Sequence, residues 1–216
     1  MLHDLSLQPS LVGPLVAELR DVVIQKSRER FRENLERLGE IVGYEISKVL
    51  EYQEELVTTP LGVSKCFVLS EQPVIGTILR AGLPLYNGLL RSFPDADNAF
   101  VSAYRKHAED GSFSIKLEYA SCPSLEGRVL VLADPMLATA ASMVSTIHEL
   151  YAYGTPSSVH VVSVLASKQG IGCLQQAFPD AHIWTTAVDP ELDSRGYIVP
   201  GLGDAGDLAF GEKVQR

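Results

Sequence analysis

In the stretch TILRAGLP, residues 77–84, an apolar run ends on Arg80 and is followed by Ala-Gly. An arginine at the carboxyl edge of a buried strand aims a planar fork of donors into the crevice beyond it, and bidentate capture of a diphosphate suits that fork. On an open surface the same residue would only pair with a carboxylate. In SAYRKH, residues 102–107, Arg105 ends another run, and Lys106 and His107 make the patch more basic. A third stretch, VLVLADPMLATAAS, residues 129–142, carries a carboxylate at Asp134 and then a loop of small side chains ahead of a helical pattern. Exposed N–H groups at the positive end of a helix dipole suit a phosphate monoester, and a carboxylate just upstream can accept from a sugar diol. The bland alternative is that Asp-Pro ends a strand and Thr139 or Ser142 caps a helix. The loop lacks the Gly-Lys-Ser/Thr ending of a Walker A motif and is not a GxGxxG turn. A fourth stretch, GYIVPGLGDAGD, residues 196–207, packs three glycines and two aspartates into residues 201–207. Such a loop exposes more backbone than side chain, so its N–H and C=O groups could read a flat polar ring; otherwise it is a turn-rich surface loop.

These residues must be positioned by an alternating pattern of elements. Phe31, Leu35, Leu38, Val42, Ile46 and Val49 recur at spacings of three and four, which predicts an amphipathic helix over residues 27–50 that covers a sheet face or meets a second subunit. Residues 12–25 also read as helical, with an early interruption at Gly13-Pro14. Strands are predicted at 66–70, 74–79, 99–104, 114–120, 128–134, 158–166 and 182–188, and helices at 83–93, 139–153 and 168–178. The turn EDGS, 109–112, predicts a hairpin or flap. Continuous apolar strands alternating with helices predict an α/β chain whose parallel sheet is flanked by helices on both faces, with ligands at the carboxyl ends of the strands. The expectation is one unit over 1–216, with a helical segment over 1–60 packed on or pairing that core.

Composition narrows the function classes. A net charge of −9 disfavours nucleic acid as partner, although backbone amides and a few arginines can hold phosphates within an acidic protein. No run approaches a membrane span or a signal peptide, and the three cysteines, Cys66, Cys122 and Cys173, show neither disulfide nor zinc spacing. A cytoplasmic protein with reduced thiols is expected. The five histidines, His3, His107, His148, His160 and His182, form no nucleophilic constellation; His107 alone is kept open for a role.

LRAGL, DPMLAT and GYIVPGLGDAGD, in this order and at these separations, resemble the motifs of uracil phosphoribosyltransferases, which join uracil to 5-phospho-α-D-ribose 1-diphosphate (PRPP). The resemblance is strong over residues 74–211 and weaker through the N-terminal helices. It implies the type I phosphoribosyltransferase fold, with a β-hairpin flap and a hood formed from the two ends of the chain. It implies that Arg80, Arg105 and Asp204 act in catalysis. PRPP would be held by Arg80, Arg105, Asp134 and Asp204, with Pro135, Met136, Leu137, Ala138, Thr139, Ala140, Ala141 and Ser142 as the phosphate cradle. Ile198, Gly203, Asp204 and Ala205 would read uracil. It further implies Mg²⁺ accompanying PRPP with no direct side-chain ligand, GTP as a candidate allosteric activator without a located site, and a homodimer or homotetramer.

One departure stands out. Where the family usually has Thr-Gly-Gly-Ser, this chain has Thr139, Ala140, Ala141 and Ser142. If either position needs a positive φ, alanine costs roughly 1–2 kcal/mol of strain, and in either case two added methyl groups crowd the phosphate. If both open the helix, alanine is tolerated. The sequence therefore leaves open a working enzyme or a weakly active uracil- or UMP-binding regulatory protein on the same fold. Retention of Arg80, Arg105, Asp134 and Asp204 favours the enzyme.

Overall fold

The computed structural model of the chain describes residues 1–107 and 113–213, with side chains described outside residues 103–118. In chain order the elements are β1 (Leu2–Asp4), α1 (Val12–Arg20), α2 (Arg28–Ser47), β2 (Tyr52–Thr59), β3 (Gly62–Leu69), β4 (Val74–Leu79), α3 (Leu83–Ser92), β5 (Asp97–His107) and β6 (Phe113–Ser121). There follow β7 (Val129–Ala133), β8 (Met136–Leu137), α4 (Ala141–Leu150), β9 (Ser158–Ser167), α5 (Lys168–Ala177), β10 (His182–Asp189), β11 (Glu191–Leu192), β12 (Ile198–Val199) and α6 (Ala205–Phe210).

The central sheet has eight strands in the order β1-β10-β9-β7-β4-β5-β6, with β8 also paired to β9. Pairing is parallel except between β5 and β6. After β4 the chain crosses through α3 to β5 and β6 on one side, and β7, β9 and β10 lie on the other, so the order reverses between β4 and β7. A crevice opens at the carboxyl ends of strands where such a reversal occurs. Strand β7 shows why the sheet is covered twice: Leu130 and Leu132 belong to the apolar layer with Met143 and Ile147 of α4, while Val131 and Ala133 belong to the layer with Leu35 and Leu38 of α2. Period-two alternation with both sides apolar is what a doubly covered strand requires.

Helix α2 forms because Ser27 caps it, its Oγ accepting from the Arg30 N–H, and because Phe31, Leu35, Leu38, Val42 and Ile46 fall on one buried stripe. It packs against α3 backbone to backbone: a Cβ at Gly88 would collide with the Glu36 carbonyl, and one at Gly39 with that of Leu85.

Several expectations are corrected. The helix expected to reach residue 50 ends at Ser47, and Val49 is exposed. The first sixty residues are not helical throughout: β2 pairs antiparallel with β3 in a separate two-stranded hairpin, and β1 joins the sheet edge beside β10. Strand β2 was hidden because all of it is exposed, so no buried face marks it by alternation with polar residues. Pro14 does not interrupt α1 but sits in its first turn, where its missing N–H costs nothing. The helix expected over 139–153 is α4 followed by a 3-10 turn at Tyr151–Tyr153. The antiparallel pair β5 and β6 appears as expected, whereas its turn, EDGS, lies outside the described residues.

Candidate active site

At the carboxyl ends of β4 and β7 a cavity of about 1120 Å³ opens. Arg80, Asp134, Met136, Ala138, Thr139, Ser142, Ile198, Gly203, Asp204 and Ala205 all line it, so the three separated motifs are brought to one place. Arg80 follows the last residue of β4 directly, and the Leu79–Arg80 peptide is cis. Its Nη2 donates to Asp207 Oδ1 at 3.3 Å and to the Gly211 carbonyl at 3.4 Å. At 44 % side-chain exposure the guanidinium is held by a weak, solvent-screened pair that an incoming polyanion can displace.

Asp134 follows β7, its N–H donating to Val162 O at 3.0 Å. The loop after it is tied to β9: the Val164 and Leu165 N–H groups both donate to Pro135 O at 3.0 Å, and Leu137 N donates to Ser163 Oγ at 2.9 Å. Ser167 Oγ donates to Ala138 O at 2.6 Å. Pro135 and Leu137 are therefore buried supports, while Met136, Ala138 and Thr139 face the cavity. Ala140 adopts φ 63° and ψ −2°, the left-handed conformation, and immediately precedes the ten residues of α4. It is only 4 % exposed and packs in the apolar layer beneath α4. Neither Ala140 nor Ala141 is among the residues that line the cavity.

On the opposite wall, Asp204 caps α6, its Oδ1 accepting from the Asp207 N–H at 3.0 Å, and its Oδ2 faces Lys213 Nζ at 3.8 Å. Gly203 has φ 100°, a conformation open to glycine at little cost, and the Val199–Pro200 peptide just before the loop is cis. Sequence reasoning missed Gln169, Asp193, Arg195, Tyr197, Asp207 and Lys213 as lining residues. Asp193 Oδ1 accepts from the N–H groups of Arg195 at 2.9 Å and Tyr197 at 2.8 Å. The Tyr197 N–H foremost, then that of Arg195 with its guanidinium, hold the Asp193 carboxyl below its ordinary range. The Asp-Ser-Arg-Gly string was the available signal for that turn. Arg105 lies on β5 opposite Ile115, but its side chain, like those of Lys106 and His107, lies outside the described residues. Among the described lining residues three cations, Arg80, Arg195 and Lys213, face four carboxylates, Asp134, Asp193, Asp204 and Asp207.

The remaining histidines are elsewhere. His160 is buried, accepts from Trp184 Nε1 at 3.1 Å on its Nδ1, and stacks on His182, which lies 3.0 Å from His3. These rings lie toward the amino ends of β9 and β10, away from the cavity. Burial, with smaller contributions from His182 and His3, pushes the His160 imidazole down to about 3.

A family model described as uracil phosphoribosyltransferase matches residues 6–212. A uracil phosphoribosyltransferase of Porphyromonas gingivalis is 48 % identical over 211 residues, covering 97 % of this chain and 98 % of that protein. One of Pyrobaculum arsenaticum is 46 % identical over 184 residues, covering 83 % and 86 %. A solved structure of an Aquifex aeolicus protein superimposes with a TM-score of 0.88 at 31 % identity, covering 100 % of both chains.

Proposed function

We infer that this chain, which belongs to the uracil phosphoribosyltransferase family, transfers the phosphoribosyl group of PRPP to N1 of uracil, giving UMP and diphosphate. The observation that carries this reading from the geometry is the convergence of Arg80, Asp134 and the loop around Asp204 on one cavity at the strand-order reversal. The size of that cavity, about 1120 Å³, accommodates a nucleotide-sized reactant pair.

In the proposed mechanism the N–H groups opening α4, with Thr139 and Ser142, hold the 5′-phosphate. The Asp134 carboxylate accepts from the ribose hydroxyls. Arg80 and Arg105 bind the diphosphate, and both bonds they make strengthen as the C1–O bond breaks and its electron pair leaves with the diphosphate. Cationic character builds on C1, the N1 lone pair of uracil closes the new C–N bond, and the N1 proton passes through water to the released diphosphate. Ile198, Gly203, Asp204 and Ala205 hold the base edge for that attack. The donor chemistry of the cavity fits a magnesium ion carried in by PRPP, since the carboxylate oxygens of Asp134 and Asp204 can accept from its water ligands. When bound, the ion adds positive charge beside the departing diphosphate. The burial of the Ala140 methyl group supports the catalytic reading over a non-catalytic one.

We assign β5 and β6 the role of a flap that brings Arg105 over the diphosphate, and the β2/β3 hairpin the role of an arm covered by a second copy of the chain. Tyr52, Leu56, Val63 and Phe67 are exposed on that hairpin, an apolar surface unusual for an isolated two-stranded element. Light scattering is expected to give at least a dimer, and Leu56→Asp with Phe67→Asp to give monomers.

The function is tested by UMP formation from uracil and PRPP with Mg²⁺, with and without GTP, and with cytosine and hypoxanthine as controls. Turnover restricted to uracil is the expected result; turnover of hypoxanthine, or none with uracil, would overturn it.

A further inference from the structure

The loop assigned to the base is gripped from behind by a residue of the first helix. Arg20, at the end of α1, forks onto Asp189 at the end of β10, with Nη2 to Oδ1 at 2.7 Å and Nη1 to Oδ2 at 2.8 Å. The same Nη1 donates to the Gly201 carbonyl at 2.9 Å, and Asp189 Oδ2 accepts from the Gly201 N–H at 3.0 Å. Both backbone groups of one loop residue are thus taken by a single ion pair. Asp189 is 5 % exposed, and neither it nor Arg20 lines the cavity. Gly201 itself is at φ 58°, and a Cβ there would collide with the Ile198 carbonyl. Ile198 stands just before this pinned residue, and Gly203, Asp204 and Ala205 just after it.

Asp189 is buried while the Arg20 side chain is 24 % exposed, and desolvation of such a pair offsets much of its attraction, so it adds little net stability. What this pair does supply is a fixed position for Gly201. A loop that reads a base with its own N–H and C=O groups needs them held in place before the base arrives, because reorganisation on binding weakens both affinity and alignment for attack. We propose that Arg20 and Asp189 are positioning residues for uracil: through Gly201 they set the separation between Ile198 and the backbone of Gly203, Asp204 and Ala205. The proposal rests on the functional reading above.

Its test uses three full-length variants: Arg20→Lys, Asp189→Asn, and the pair Arg20→Met with Asp189→Leu. The paired replacement leaves no lone buried charge, and thermal unfolding reads what the unpaired Gly201 N–H and carbonyl cost. Steady-state UMP formation is measured with uracil varied at saturating PRPP and the reverse, alongside thermal unfolding. The expected result for the paired variant is a uracil KM raised on the order of tenfold to a hundredfold. Its KM for PRPP is expected to stay within about twofold, and its preference for uracil over cytosine to fall. Arg20→Lys, which keeps the charge but loses the fork, is expected to fall between wild type and the pair. A folded paired variant with an unchanged uracil KM, or one in which both KM values rise together, would overturn the proposal. If the wild-type chain forms no UMP, the functional reading fails instead, and calorimetric binding of uracil to wild type and paired variant then decides the clamp by the same ratio.

Discussion

Replacing Ala140 with glycine separates two consequences of the altered cradle. The residue sits at φ 63°, so glycine relieves about 1–2 kcal/mol of left-handed strain. Against this, glycine adds about 0.4–1 kcal/mol of unfolded-chain entropy, and removal of a methyl group that is 4 % exposed forfeits about 0.8 kcal/mol of burial. The opposing contributions nearly cancel, and stability is expected to change by less than about 1 kcal/mol, a shift of about 2–4 °C or less in Tm for a chain of this size. Because the methyl group lies in the apolar layer with Met143 and Ile147, the KM for PRPP is also expected to stay within about twofold, a difference of about 0.4 kcal/mol. Converting Ala141 as well puts glycine in the first turn of α4 and is expected to lower Tm without changing that KM. Calorimetric unfolding and initial rates with PRPP varied check both statements. A fall of about tenfold or more in KM, equal to about 1.4 kcal/mol, would refute the reasoning by showing that the methyl groups do reach the phosphate.

Arg80→Ala is expected to cut kcat/KM by on the order of a hundredfold or more while moving Tm little, since its pair with Asp207 is solvent-screened; near-normal turnover would make the arginine structural. His160 is buried neutral with its pKa lowered to about 3, so the unfolded chain binds the extra proton between that value and about 6.5. Its contribution is intact above about pH 6.5 and lost as pH falls through the window, about 2 kcal/mol of stability by pH 5. Denaturant unfolding at pH 7 and 5 is expected to show a slope that His160→Gln flattens. Burial pushes the Cys122 thiol up to about 11, whereas Cys173 is exposed. A thiol reagent at pH 8 is expected to label Cys173 well before Cys122, and mass mapping of the first adduct checks the order.

The parts of the fold legible in the sequence are those where a local pattern has a single physical meaning. The unbroken apolar run of β7 has to be covered on both sides, and Arg80 and Asp134, placed where such runs stop, have to face the strand ends. Strand β2 was not legible because it is exposed along its whole length, whereas the second half of β3, where Cys66, Val68 and Leu69 are half-buried, reads as a strand over 66–70. Lys213 reaches the cavity only because the chain folds back after α6, and no spacing announces that return. The grip of Arg20 on Gly201 joins positions 181 residues apart, a contact that only tertiary structure creates. Ala140 was ambiguous for a sharper reason: the identity of a small residue does not reveal the sign of its φ angle, and the structure places one of the two alanines on each side of that choice.

The glycine contact between α2 and α3 bears on how the chain tolerates being divided. Helix α3 begins three residues after Arg80, and its far side touches α2 with no side chain between the backbones at Gly39 and Gly88. A fragment starting after residue 50 would bare Leu85 and Leu89, now fully buried, on the very helix that follows Arg80. Helix α2 thus serves as one wall of a vice whose other wall is the sheet. Cutting away the first fifty residues would leave the cavity-lining motifs intact in sequence yet mounted on a helix with nothing behind it, so activity should be sought in the whole chain and not in its motif-bearing part.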